Sequence, residues 1–350
     1  MQLRGLAGKP IGLMVSVVLV ALNLRPSMAA VGPLLAAIRL DMPLSFAAAS
    51  LLTMLPVMVM GLAMFFGVRV AHLLGSHRSV MLSLALIGVA TLARVFLGSA
   101  VDLIASAVLA GLGVAIIQAL MPALIKARFK SHVSLCMGLY VTAIMGGAAI
   151  AASLSPLILW LSGSWHVALS VWSALALLAL CFWKGQQRRL SQPDAPVAML
   201  EQRAFSRLPR AWMLGVFFGL GTASYTCVLA WLAPYYVETG WSEQGAGLLL
   251  GLGIGGLFPM SLIVSMDHLD DPQQAGSLTA FVQGIGYLIA SLSPLFAGLI
   301  RDLTGSFAGA WWSLMAVVAI MLLMVARLNP RHYHRYLRGA RSTPECEEAA

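Results

Sequence analysis

Arg25 has the clearest capacity for chemistry in this chain, because it stands in the middle of an apolar stretch running from residue 11 to residue 38. A guanidinium at such a position costs about 2.5 to 3.5 kcal/mol on insertion scales, and side chains that bear this cost face the inside of a helix bundle. Its planar fork of donors suits a small anion. The competing role is structural, a cap on the carbonyls of a broken helix, and Pro26 beside it supplies the break. Asn23 lies two positions away, about 200° round a regular helix, so the two would not share a face. Gln118, Tyr140, Tyr225, Gln283 and Tyr287 are further polar or amphipathic side chains inside apolar runs. Each can donate or accept in a cavity at mid-depth, and each can equally satisfy a neighbouring helix.

Other constellations do not organise into a site. GLGIGG (251–256) matches a dinucleotide-binding fingerprint letter for letter, but it sits in an apolar run with no strand before it and no acid at ribose distance. Gly251 and Gly255, like Gly215 and Gly219, suit close helix crossing instead. Met266-Asp267-His268 places an acid beside a histidine without a Ser or Cys nucleophile next to them. His72, His77, His132, His268, His332 and His334 fall in loops or the tail and His166 at a helix end; none is spaced as a metal ligand, and all are expected to be solvated. Cys136, Cys181, Cys227 and Cys346 are far apart, so no disulfide framework or zinc site is expected. No cofactor and no enzymatic activity is expected. Asp102, Glu238, Glu243, Asp267 and Asp302 all fall at helix ends or in loops, which leaves a buried carboxylate proton relay without a candidate.

The elements that must position Arg25 follow from composition. The chain is 60% hydrophobic and 10% charged with a mean hydropathy of +0.88, against about 25% charged residues in an ordinary globular domain. Water is not the solvent for most of it. Apolar segments long enough to cross a bilayer run over 11–38, 46–68, 79–97, 101–125, 134–157, 166–183, 211–234, 245–266, 276–300 and 309–326, ten in all. The net charge of +9 is not a nucleic-acid footprint, because the basic residues lie in short clusters between apolar runs. Those clusters alternate: Arg4, Lys126, Arg188, Arg207 and Arg331 are among eighteen on one side, while Arg39, Arg94 and Arg301 are the three on the other. By the positive-inside rule both termini are expected in the cytoplasm of a multi-pass inner-membrane protein. A polar stretch at 185–210 is expected to link an N-terminal bundle of six helices (1–184) to a C-terminal bundle (211–331), with a cytoplasmic tail at 332–350.

Two passages repeat across that linker. Ala152-Ser-Leu-Ser-Pro156-Leu recurs 138 positions on as Ala290-Ser-Leu-Ser-Pro294-Leu, whereas the earlier pair Pro33-Leu34 and Pro234-Tyr235 is offset by 201. The second half is therefore shorter by about 63 residues, the length of two spans with their loops. Six helices are expected before the linker and four after it.

With this layout, ALNLRPSMAAVGPLLAAIR (21–39) resembles the opening helix of the cyanate permease family of the major facilitator superfamily. GVAIIQALMPALIKARF (113–129), AWLAPYY (230–236) and MDHLDDPQQAGSLTAFVQGIGYLIA (266–290) match as well, so the resemblance covers nearly the whole chain. It implies a secondary transporter of a small solute: an anion such as cyanate, or a neutral aromatic, since nitroimidazole transporters are relatives. That family has twelve helices. Here Gly247-Leu-Leu-Leu, resembling the start of the eighth, runs straight into Gly251-Leu-Gly-Ile, resembling the tenth, so 245–266 reads as a hybrid and a transport-dead chain is a third alternative. Lipid or a second copy of the chain is expected to cover the faces around Gly251 to Gly256 that the missing pair would have covered. GVRVAHLLGSHR (67–78) resembles the superfamily loop between helices two and three, with Ala71 near the usual place of an acid.

Overall fold

The computed structural model describes residues 11–65, 73–129, 132–186, 205–253 and 272–325, with 272–276 described by backbone alone. Apolar residues on every face of these segments are what a bilayer demands, because only intrahelical bonds can satisfy the backbone there. The first expected span is three pieces, α1 (Ile11–Leu22), α2 (Pro26–Ala29) and α3 (Val31–Asp41). It is followed by α4 (Phe46–Met64), α5 (Ser76–Ala93), α6 (Ala100–Arg128) and α7 (Val133–Ser162). The sixth span is α8 (Trp165–Ser170) with α9 (Ser173–Lys184). After it come α10 (Pro209–Glu238), α11 (Glu243–Gly253), α12 (Pro272–Thr304) and α13 (Ala308–Val325). Among the described residues nine helical segments are long and apolar enough to cross a membrane. The remaining expected span, 245–266, begins as α11, and its part from 254 on, with Gly255, lies outside the described residues, as do Asp267 and His268.

Helix starts obey local chemistry. The Ser45 hydroxyl accepts the Ala48 N–H at 3.0 Å and the Ser99 hydroxyl accepts the Asp102 N–H at 3.1 Å, each satisfying a first-turn donor. Gly163, with φ +68°, closes α7 in the left-handed conformation that glycine adopts without strain.

Proline sets a recurring joint. A proline in a helix frees the carbonyl four residues earlier, and at three of the prolines a neighbouring glycine covers it. Pro26 frees Leu22, whose carbonyl oxygen sits where a Cβ on Gly147 of α7 would be. Pro156 frees Ala152, whose oxygen would lie 2.6 Å from a methyl on Gly247 of α11, and Pro234 frees Ala230, whose oxygen would lie 3.2 Å from one on Gly32 of α3. In α12 the freed Ala290 carbonyl accepts the Thr226 hydroxyl at 3.3 Å instead. Each of the repeated ASLSPL segments thus frees a carbonyl that a facing helix covers, through Gly247 for α7 and through Thr226 for α12.

The six spans before residue 186 meet the later ones along α4 with α12, α7 with α11 and α3 with α10. Gly215 and Gly219 of α10 press against Ile285 and Ile289 of α12, the close crossing their spacing predicted. Gly251 makes a close crossing as well: a Cβ there would lie 2.7 Å from the Ala149 carbonyl oxygen of α7. The least covered span is α13, whose buried residues are Ala310 and Met321. Two histidines are also not simply solvated. His77 stacks on Trp183 and exchanges hydrogen bonds with it, Trp183 Nε1 donating to the His77 carbonyl at 3.1 Å, and the His166 ring nitrogen meets the Leu97 carbonyl at 3.0 Å.

At its first turn α4 is latched to the end of α12. The Asp302 carboxylate accepts the N–H groups of Phe46 at 3.0 Å and Ala47 at 2.8 Å, while the Phe46 ring lies beneath the guanidinium groups of Arg39 at 3.9 Å and Arg301 at 4.9 Å. Arg301 also pairs with Glu238 of α10 at 3.2 Å. At the opposite end of α4, Phe65 packs over Gly284 and meets Phe281 edge-on at 6.3 Å.

Candidate functional site

The break in the first span creates the site. Helical bonding stops at Leu22 and resumes at Pro26, so Asn23, Leu24 and Arg25 form a turn rather than a kinked helix, and the angular argument that separated Asn23 from Arg25 does not apply. Arg25 is the N-cap of α2, at the middle of the span, with an exposure of 0%. Its Nη2 donates to the Tyr287 hydroxyl at 3.3 Å, and that hydroxyl donates in turn to Gln118 Oε1 at 3.2 Å. The Tyr287 oxygen therefore both accepts and donates. The relay runs from α2 to α12 and back to α6, tying the two halves together at mid-depth.

Aromatic faces complete the surroundings. The Arg25 guanidinium carbon lies 5.7 Å from the Tyr225 ring centroid and 5.8 Å from that of Tyr287, an arrangement worth up to about 2 kcal/mol when desolvated. Phe218 of α10 supports the Tyr287 ring edge-on at 5.5 Å. Tyr140 of α7 is buried within electrostatic range of Arg25 and Tyr287. Five of the seven residues singled out in the sequence, Arg25, Gln118, Tyr140, Tyr225 and Tyr287, are thus brought together from five helices. Asn23 and Gln283 are buried too, Gln283 one turn before Tyr287, but no described hydrogen bond joins either to the Arg25 group.

Two of these side chains carry polar atoms held ready. Asn23 Nδ2 and the Tyr140 hydroxyl are buried and have no hydrogen-bond partner among the described residues, as is Thr222 Oγ1 one turn before Tyr225. Leaving such a group unmet costs about 1 to 3 kcal/mol, which makes it a ready contact for a polar ligand. Thr222 gave no sequence signal, since hydroxyls are common in spanning helices. Every described carboxylate sits at a helix end: Asp41, Asp102, Glu238, Glu243 and Asp302. Desolvation at the first turn of α11 raises the pKa of Glu243.

Arg94 corrects the sequence reading, which grouped it with loop cations. It is 1% exposed, and its Nη1 donates to the Ser27 carbonyl at 2.9 Å while Nε donates to the Ser106 hydroxyl of α6 at 3.1 Å. The broken-helix cap considered for Arg25 is therefore supplied by Arg94. The signal was a charge in the last turn of an apolar run, which a count of loop charges cannot separate from a true loop residue.

Residues 14–252 match the family model described as Major Facilitator Superfamily. The chain belongs to that superfamily. It is 34% identical to the cyanate transport protein CynX of Escherichia coli (strain K12) over 87% of this chain and 94% of that protein. It is 28% identical to a 2-nitroimidazole transporter of the same organism over 91% of this chain and 95% of that one. The alignment to the former runs to 363 positions, longer than the 350 residues here, so this chain carries gaps against that protein. Solved structures of the same fold include a D-xylose-proton symporter, with a TM-score of 0.64 at 13% identity, covering 91% of this chain and 97% of that one. The protein is a multi-pass membrane transporter of the superfamily, and its cyanate-permease resemblance is upheld.

Proposed function

We propose that this superfamily member carries a small anion, cyanate in the first instance, across the bacterial inner membrane, with both termini in the cytoplasm and Arg25 as the anion-binding group. The observation that carries the reading is a fully buried guanidinium at mid-span, at the meeting of the two halves, bonded to the Tyr287 hydroxyl and faced by the Tyr225 ring. The relation to the cyanate transport protein supports the choice of anion. In this mechanism the anion competes with Tyr287 for the Arg25 fork and recruits Asn23 and Tyr140. Loosening the Arg25–Tyr287–Gln118 relay frees the halves to rock, and the Asp302 latch at one end and the Phe65 packing at the other open in alternation.

A second reading has its own observation. Two tyrosine rings, Tyr225 and Tyr287, face the Arg25 cation and could sandwich a planar aromatic, a reading that the nitroimidazole-transporting relative supports. The shortened second half supports a third, a chain that inserts without transporting; a second copy covering that half would appear as a crosslinked dimer. Counterflow of labelled cyanate and of labelled 2-nitroimidazole in proteoliposomes separates the three. Cyanate exchange that weakens in Arg25→Lys and disappears in Arg25→Ala is the expected result. Exchange of the nitroimidazole alone, or cyanate exchange that survives Arg25→Ala, would overturn it, and no exchange of either leaves the inert chain.

A further inference from the structure

The turn at Asn23–Arg25 has little of its own to hold it. Its internal bonds are short-range, Asn23 N–H to Val20, Leu24 N–H to Ala21, and the N–H groups of Met28 and Ala29 both returning to the Arg25 carbonyl at 3.0 and 2.9 Å. The direction in which Arg25 leaves the backbone is thus fixed by a four-residue helix, α2, that cannot be stable alone. The chain entering the turn is fastened by close packing of Leu22, the last residue of α1, on Gly147. The helix itself is fastened by Arg94, which donates to the carbonyl of Ser27, two residues along from Arg25.

Arg94 is anchored in its turn. Its Nε rests on Ser106, whose hydroxyl donates to the Leu103 carbonyl of the same helix at 2.7 Å, so the clamp is built into the frame of α6. The same helix carries Gln118, which holds Tyr287 through its hydroxyl. Thus α6 grips both members of the Arg25–Tyr287 pair, one through Arg94 and α2, the other directly. A lysine could reach one of the two acceptors, but a point donor cannot span both as a guanidinium does.

We propose that Arg94 is a positioning residue for the anion site: by bridging Ser27 and Ser106 it sets the aim of Arg25 at Tyr287 and so at the substrate. The proposal rests on Arg25 being the anion-binding group, and its test has an arm that does not. In the full chain in detergent, hydrogen–deuterium exchange at residues 23–30 should quicken at least about fivefold in Arg94→Gln while the second half of α6 is unchanged. In proteoliposomes Arg94→Gln should raise the KM for cyanate about tenfold with Vmax held, and Arg94→Lys should fall between. In an Arg25→Lys background the same Arg94→Gln change should alter KM by less than about twofold, because the aim it controls is already lost. Unchanged exchange at 23–30 would overturn the proposal, as would equal effects in both backgrounds, which would make Arg94 a general prop. If the unaltered chain does not move cyanate, the anion reading fails and the exchange arm decides the positioning claim alone. Should Arg94→Gln not fold, Ser106→Ala removes one leg of the clamp and is read in the same way.

Discussion

The Tyr287 hydroxyl occupies the place for which a substrate anion must compete, and its other bond keeps Gln118 satisfied. Tyr287→Phe should therefore have two opposite effects. Half-saturation for the anion should fall about threefold, in line with the ~0.5–1.5 kcal/mol net worth of one hydrogen bond, while the thermal midpoint in detergent drops by a few degrees as Gln118 loses its partner. A rise in half-saturation would show that Tyr287 assists the anion rather than competing with it. Arg25 was legible in the sequence because a charge inside a long apolar run has few explanations. Its tyrosine and glutamine neighbours were legible as a set and not as a geometry, since nothing in the chain order says that residue 25 meets residue 287. Arg94 escaped because a cation at the edge of a span looks the same whether it turns out to water or in toward a broken helix.

Between helices, the strongest local device is the capping of α4 by Asp302, a side chain that arrives from the far end of α12. Removing a carboxylate from a helix N-terminus costs about 1 kcal/mol. With the native cysteines replaced and a probe at Ala49→Cys, a buried position one turn into α4, Asp302→Ala should label about fivefold faster with a polar thiol reagent. Equal labelling would mean that the Phe46 ring between Arg39 and Arg301 closes this end unaided. The proline at position 26 announced a disturbance, and the structure extends it to a complete interruption. The reason lies outside the local sequence: Leu22 can leave the helical ladder because Gly147, more than a hundred residues later, lets α7 close over its carbonyl.

On the scale of the whole molecule, the spans were readable to within a few residues because apolar length and loop charge are summed quantities that survive local error. Orientation remains an expectation, and reporter fusions at the C-terminus should place it in the cytoplasm; activity of an exported reporter there would reverse every side assignment. What the sequence could not convey is how the helices touch. Two of the proline-freed carbonyls rest on glycine across the boundary between halves, Ala152 on Gly247 and Ala230 on Gly32. Contacts of carbonyl oxygen with Cα–H are worth only about 0.5–1 kcal/mol each and tolerate a broad range of angles. They behave as bearings: the surfaces stay in touch while one turns on the other, with no strong bond to rupture along the way. Such a joint has low friction, and friction shows in the temperature dependence of turnover. Gly247→Ala, which forces a methyl against the Ala152 oxygen, should steepen the Arrhenius slope of exchange while leaving its substrate preference alone, and an unchanged slope would mean that the halves pivot elsewhere.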